Sequence, residues 1–244
     1  MKKLRGLLLL FLVCGFCQTA FAFGLVLDGS LNEWGVTPGP WGAGSDWVPI
    51  AGIHYAVEDY QPGTAGGFVN PGYGGQTYDV EAMYATRDSN NLYFAVVTGF
   101  PSAGYGGFLA SPIAIDFGSN GSYEYGIDVV GAEAGNLSKP QSWTNGVNNW
   151  GYPVSMVNPT LVLNPALPNL VYNNAYYGGS DHYVIEGFMP LSAFGSDWRD
   201  VYTMHWTMQC GNDFINLGVI PEPASMLLFG FGLAGAFIRR RKLS

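Results

Sequence analysis

Charge is scarce in this chain of 244 residues: only 11% are Asp, Glu, Lys or Arg, and seven of the ten basic ones crowd at the two ends. Lys2, Lys3 and Arg5 open the chain and Arg239, Arg240, Arg241 and Lys242 close it. Between them stand only Arg87, Lys139 and Arg199, against seventeen of the eighteen Asp and Glu, a net charge of about −14. Such a body argues against nucleic acid as a partner, because affinity for it comes largely from basic residues that neutralise phosphates. It favours divalent cations such as calcium, which take carboxylate and carbonyl oxygens. Cysteine is nearly as rare, at three residues. The three histidines, His54, His182 and His205, show no close pairing with one another or with Cys210, which argues against a zinc-type site. Also missing are a Gly-x-Ser-x-Gly elbow, a zinc-binding helix, a phosphate loop and EF-hand spacing. No long stretch carries a helical stripe of apolar residues.

What the chain does have is clearest at its ends. Lys2, Lys3 and Arg5 are followed by an apolar run from Leu7 to Phe16 and by Ala20-Phe21-Ala22, the charged region, hydrophobic region and small-residue cleavage site of a secretory signal peptide. Residues 1–22 are therefore expected to be cut off by signal peptidase after Ala22. Val13 and Phe16 precede Cys14 and Cys17 where lipidation needs a small residue, so no lipid anchor is expected there. With those two cysteines removed, Cys210 is left without an intramolecular partner.

At the other end Pro221-Glu222-Pro223 precedes an apolar run from Ala224 to Ile238 and the basic cluster Arg239-Arg240-Arg241-Lys242. As a helix that run is about 22 Å long, shorter than the roughly 30 Å hydrocarbon core, so it can hold a precursor in the membrane only marginally. The basic cluster stays cytoplasmic and everything before Pro221 lies outside. In its order of parts, residues 219–244 resemble the PEP-CTERM sorting signal of Gram-negative bacteria that make exopolysaccharide. The resemblance implies recognition by an exosortase-type membrane protease, removal of the tail, and residence at the cell surface or in the extracellular matrix. An ordinary single-span anchor is the alternative.

Residues 23–218 remain as one domain of roughly 200 residues, enough to bury a sizeable core. Little charge, abundant Gly, Tyr, Asn and Trp and few helix formers point to an all-β fold. Period-2 segments recur between turn clusters. Asp79–Thr86 and Leu92–Thr98 flank Asp88-Ser89-Asn90-Asn91, and Ile113–Phe117 and Tyr123–Val130 flank Gly118-Ser119-Asn120-Gly121, two hairpin signals. Tyr183–Met189 reads as a strand stopped by Pro190, and Leu191–Phe194 as one helical turn. Thr203–Cys210 puts Met204, Trp206, Met208 and Cys210 on one face, which makes Cys210 a core residue. Antiparallel hairpins with one apolar face each must cover one another, giving a jelly-roll-like β-sandwich. Residues 36–76, rich in Gly, Pro and aromatics, and 131–177, rich in Asn and Pro, are expected to be long irregular loops of the kind that bind something or cover an edge.

Leu27-Asp28-Gly29-Ser30-Leu31-Asn32-Glu33-Trp34, Asn91-Leu92-Tyr93-Phe94-Ala95-Val96, Ile113-Ala114-Ile115-Asp116-Phe117, Tyr123-Glu124-Tyr125-Gly126-Ile127 and Tyr183-Val184-Ile185-Glu186-Gly187-Phe188-Met189-Pro190 follow in that order. Together they resemble the family 9 carbohydrate-binding modules and the related DOMON-like sandwiches. That resemblance implies non-catalytic glycan binding, often with structural calcium.

A pyranose needs an aromatic face for its apolar side and amides or carboxylates for its hydroxyls. Trp41 and Trp47 sit among Gly and beside Asp46, and Trp143 and Trp150 sit among Gln141, Asn145, Asn148 and Asn149. These four tryptophans, with Asn145 and Asn148, are the candidate glycan contacts; otherwise the tryptophans plug the sandwich ends or cover an edge strand. Trp206 reads as core. For calcium the candidates are Asp28, Asp116, Asp128 and Asp213, together with Glu33 and Glu124, and any of them can equally close a turn. Glycoside hydrolysis would need two carboxylates across a cleft, and no spacing selects a pair, so no enzyme is expected. Two functions remain: a secreted module that binds exopolysaccharide, or a structural matrix protein that binds other proteins.

Overall fold

The computed structural model describes residues 24–38, 47–58, 75–147, 151–166, 168–177 and 180–220. The expected signal peptide with Ala20 and Ala22 of its expected cleavage site, and the tail with Pro221, Glu222, Pro223, Arg239, Arg240 and Arg241, lie outside them. No helix among the described residues is long and apolar enough to cross a membrane.

The described residues form thirteen strands in chain order: β1 (His54–Val57), β2 (Val80–Arg87), β3 (Asn91–Thr98), β4 (Ile113–Phe117), β5 (Tyr125–Ile127), β6 (Leu137–Lys139), β7 (Ser142–Asn145), β8 (Pro153–Val157), β9 (Thr160–Leu163), β10 (Leu170–Tyr177), β11 (Ser180–Pro190), β12 (Tyr202–Thr207) and β13 (Phe214–Val219). One sheet runs β1-β2-β3-β11-β10, a second β13-β12-β4-β5-β6-β9, and β7 and β8 form a separate hairpin. All pairings are antiparallel, and the two large sheets make the expected all-β sandwich.

Local chemistry explains the elements that position the rest. In the β2–β3 hairpin, Asp88 Oδ1 accepts from the amides of Asn90 (2.7 Å) and Asn91 (2.8 Å), so the side chain closes the turn that the sequence signals. β11 ends at Pro190, and Leu191–Asp197 follows as 3-10 turns broken at Gly195, whose φ of 55° a residue with a Cβ adopts only with strain. That bend delivers Asp197 to the end of β6.

Alternation builds the central core. Leu92, Phe94 and Val96 from β3 and Ile185 and Met189 from β11 meet Ile113, Ile115 and Phe117 from β4, Met204 and Trp206 from β12, and Ile215 and Leu217 from β13. Cys210 is buried there as well. A register shift between Val80 and Ala82 lets both Val80 and Met83 point inward.

The structure corrects two expectations about the long loops. Residues 131–177 contain five strands, β6 to β10, and 36–76 contains β1. The sheets also do not have one apolar face each. Leu31, Trp34, Val36 and Trp47 pack with Tyr84, Tyr93, Ala95, Val97 and Val184 on the outer face of the five-stranded sheet, a second core under the N-terminal segment. On the outer face of the six-stranded sheet, Trp143 and Met156 of the β7–β8 hairpin lie over Gly126. A Cβ there would stand 2.8 Å from the Trp143 ring and 2.4 Å from the Met156 sulfur. Tyr152 stacks on His205 at 5.1 Å between centroids and packs against Phe214. His205 and Thr207, on the face of β12 opposite Met204 and Trp206, are therefore buried rather than wet.

Candidate functional site

The hairpin leaves a cleft of about 490 Å³ between itself, the turn before β5 and the end of β6. That volume falls in the range of small-ligand sites, roughly 300–1,000 Å³. Trp143 and Tyr123 line it with Glu124, Gln141, Asn145, Ser122 and Ser142, and Lys139 and Asp197 stand at its rim. Trp143 is half-buried, and its Nε1 donates to the Tyr123 carbonyl (2.8 Å), which fixes the ring against the sheet. Burial pushes the Tyr123 hydroxyl up to about 12, with the Asp116 carboxylate adding to it, so it stays a neutral donor and acceptor. Lys139 Nζ meets Asp197 Oδ2 at 2.5 Å and lies 4.9 Å from the centroid of the Tyr125 ring, whose hydroxyl donates to the same Asp197 oxygen at 3.0 Å. These partners hold the Asp197 carboxyl below the usual carboxylate range, with the Lys139 hydrogen bond the leading cause. Glu124 is committed through Oε2, which accepts from the Phe117 amide at 2.8 Å.

Of the glycan candidates, the structure brings Trp143 and Asn145 to this cleft. Trp41, Trp150 and Asn148 lie outside the described residues. Trp47 is elsewhere and only 4% exposed; its ring packs against Tyr177 and His182 and its carbonyl accepts from the Tyr84 hydroxyl, so it presents no open face for a sugar.

The four aspartates proposed for calcium are dispersed. Asp28 Oδ1 accepts from the Ser30 amide (2.7 Å), and Asp116 accepts from Asn120 (3.0 Å) and Gly121 (2.7 Å). Asp213, fully buried, accepts from Val80 (2.8 Å) and Phe214 (2.9 Å) and ties the two sheets together. Asp128 is half-buried, and burial raises its carboxyl to about 6, with Glu133 adding to the shift. Asp28 and Asp116 thus serve turn amides, while Asp213 serves amides of two strands. Among the described residues no three His, Cys, Asp or Glu side chains are grouped to hold a metal ion.

Two polar constellations escaped the sequence reading. Glu186, fully buried on β11, accepts from Trp34 Nε1 (2.8 Å) and the Gly29 amide (3.2 Å), clasping the N-terminal segment to the sheet. Burial pushes its carboxyl up to about 7. On the same sheet Glu81 Oε1 lies 2.9 Å from His182 Nε2, and the Gln76 amide touches both. The first joins two of the resemblance motifs, so their co-occurrence was its only signal; nothing local marks the second.

The tail carries a proline-glutamate-proline motif, an apolar run and a basic stop. Residues 219–242 match the PEP-CTERM protein-sorting motif. The motif implies that the chain is exported and sorted by an exosortase, as a surface or extracellular protein. No curated protein and no solved structure matches the chain. The likeness of the body to carbohydrate-binding modules therefore rests on the five short motifs alone.

Proposed function

We propose that this exosortase-sorted chain is a non-catalytic glycan-binding module, held as a membrane-tethered precursor until its tail is cut and then acting on polysaccharide outside the cell. Residues 23–218 are the binding domain, and the cleft under the β7–β8 hairpin is the sugar seat. The observation that carries this reading is Trp143 fixed at the wall of an open cleft beside Gln141, Asn145, Ser122 and Ser142. That is an aromatic surface with hydroxyl-binding groups around it. Catalysis is disfavoured by the state of the two carboxylates in the cleft. Asp197 is kept ionised by Lys139 and Tyr125 and so is a poor general acid, while Glu124 is tied to a backbone amide.

The test is titration of the purified chain with a panel of soluble polysaccharides, read by tryptophan fluorescence and calorimetry. Saturable binding lost in Trp143→Ala and weakened in the exposed-residue variants Asn145→Ala and Gln141→Ala, with unaltered circular dichroism, is the expected result. Absence of binding to every glycan by the folded chain would leave the structural matrix reading. A specific observation favours that second reading: Trp34, Trp47 and Trp206 are all buried, so most of the described tryptophan surface serves packing.

A further inference from the structure

Among the described residues the sandwich is closed on one side and open on the other. Where β13 comes against β1 and β2, the sheets meet, with Asp213 bonded to the Val80 amide. On the opposite side β10 and β9 are the outer strands of their sheets. The N-terminal segment reaches β10, where Asn173 Nδ2 donates to the Asp28 carbonyl (2.9 Å). Among the described residues β9 pairs only with β6, on one edge, and Leu161 is 54% and Val162 38% exposed. An edge strand of this kind presents unpaired backbone donors and acceptors, and proteins usually protect it with charge. Here charge is missing: no Asp, Glu, Lys, Arg or His occurs between Lys139 and Asp181, the stretch that supplies all of β7, β8, β9 and β10.

We propose that β9 is a self-association edge, on which a second copy of this chain pairs its own β9. The excess of acidic residues makes two copies repel over most of their surfaces, and the edge of the uncharged strand β9 is where they approach with less repulsion. A two-fold axis normal to the sheet runs the two β9 strands antiparallel and joins the two six-stranded sheets into one, burying Leu161 and Val162 of each copy against the other. Lys139, across from Thr160 on β6, is the nearest basic side chain of the pairing strand and is already neutralised by Asp197. Self-association of this kind goes beyond sugar binding: it makes a surface-held module multivalent toward a repeating polymer.

Sedimentation velocity on the full chain in detergent, at low and high sodium chloride, tests it. The expected result is a concentration-dependent dimer favoured by salt, since screening weakens the acid–acid repulsion. The double variant Leu161→Lys, Val162→Lys should raise the dimer dissociation constant by at least about tenfold, because charge on an edge strand blocks pairing. Both positions are exposed, so the variant's melting temperature should match the wild type. Association through the tail would be equal in both proteins and would overturn the proposal, as would a chain that stays monomeric at high protein and salt. Dimers broken by changes at β10 but not at β9 would also overturn it.

Discussion

Replacing Glu186 by Gln tests the buried clasp that holds the N-terminal segment, and pH decides its sign. In the folded chain burial raises the Glu186 carboxyl to about 7, above its ordinary 4.5. A raised folded-state value means that the native state holds the proton more tightly than the unfolded one. Its stabilisation is fully present below about pH 4.5 and is lost as pH rises through 7. One pKa unit corresponds to about 1.4 kcal/mol, so after allowance for solvent screening the loss amounts to roughly 2–3 kcal/mol between pH 5 and pH 8. Glutamine keeps an oxygen for Trp34 Nε1 but turns an NH₂ toward the Gly29 amide, losing one hydrogen bond worth about 1 kcal/mol. The variant should therefore be less stable than wild type at pH 5 by about 1 kcal/mol and more stable at pH 8 by a similar amount. Urea unfolding of both proteins at the two pH values, followed by tryptophan fluorescence, reads the crossing. Comparing differences between proteins cancels the other buried carboxyls, Glu58, Asp128 and Asp213, whose values burial also raises. Equal pH slopes in wild type and variant would refute the reasoning.

Two further perturbations separate the cleft from the scaffold. Gly126→Val should lift the hairpin, because its Cβ meets the Met156 sulfur and the Trp143 ring below 3 Å; a red shift in tryptophan emission and loss of polysaccharide binding are expected, at a stability cost of about 1–3 kcal/mol. Asp213→Ala strands the buried amides of Val80 and Phe214 and should cost roughly 2–5 kcal/mol, a fall of about 5–15 °C in Tm by calorimetry. The fall should be larger at pH 5 than at pH 8, since burial disfavours the ionised Asp213 that the variant removes.

How far the fold can be read from the residues depends on which faces its strands bury. Strands β2, β3, β4, β11 and β12 announce themselves because their inward residues alternate and Asp88, Asp116 and Pro190 punctuate them. β7 to β9 are short and uncharged, so neither length nor polar punctuation separates them from loop. Half of the candidate site was legible, since Trp143 and Asn145 lie close in sequence to the amides around them. Tyr123, Lys139 and Asp197 come from three separate parts of the chain, and the β5–β6 pairing and the bend at Gly195 bring them together.

The misjudged outer faces share one physical cause. A strand such as Asn91–Thr98 is apolar at nearly every position, which in an antiparallel sheet means that something covers both sides. The cover on one sheet is the segment around Leu31 and Trp34, and on the other the hairpin of Trp143, Tyr152 and Met156. The second cover lacks charge and lies over a glycine, and so reads as loop until its contacts are seen. The same lack of charge runs through β7 and β8 into β9, so the feature that hid these strands from the sequence pattern also leaves the uncharged edge on which we place a second copy of the chain.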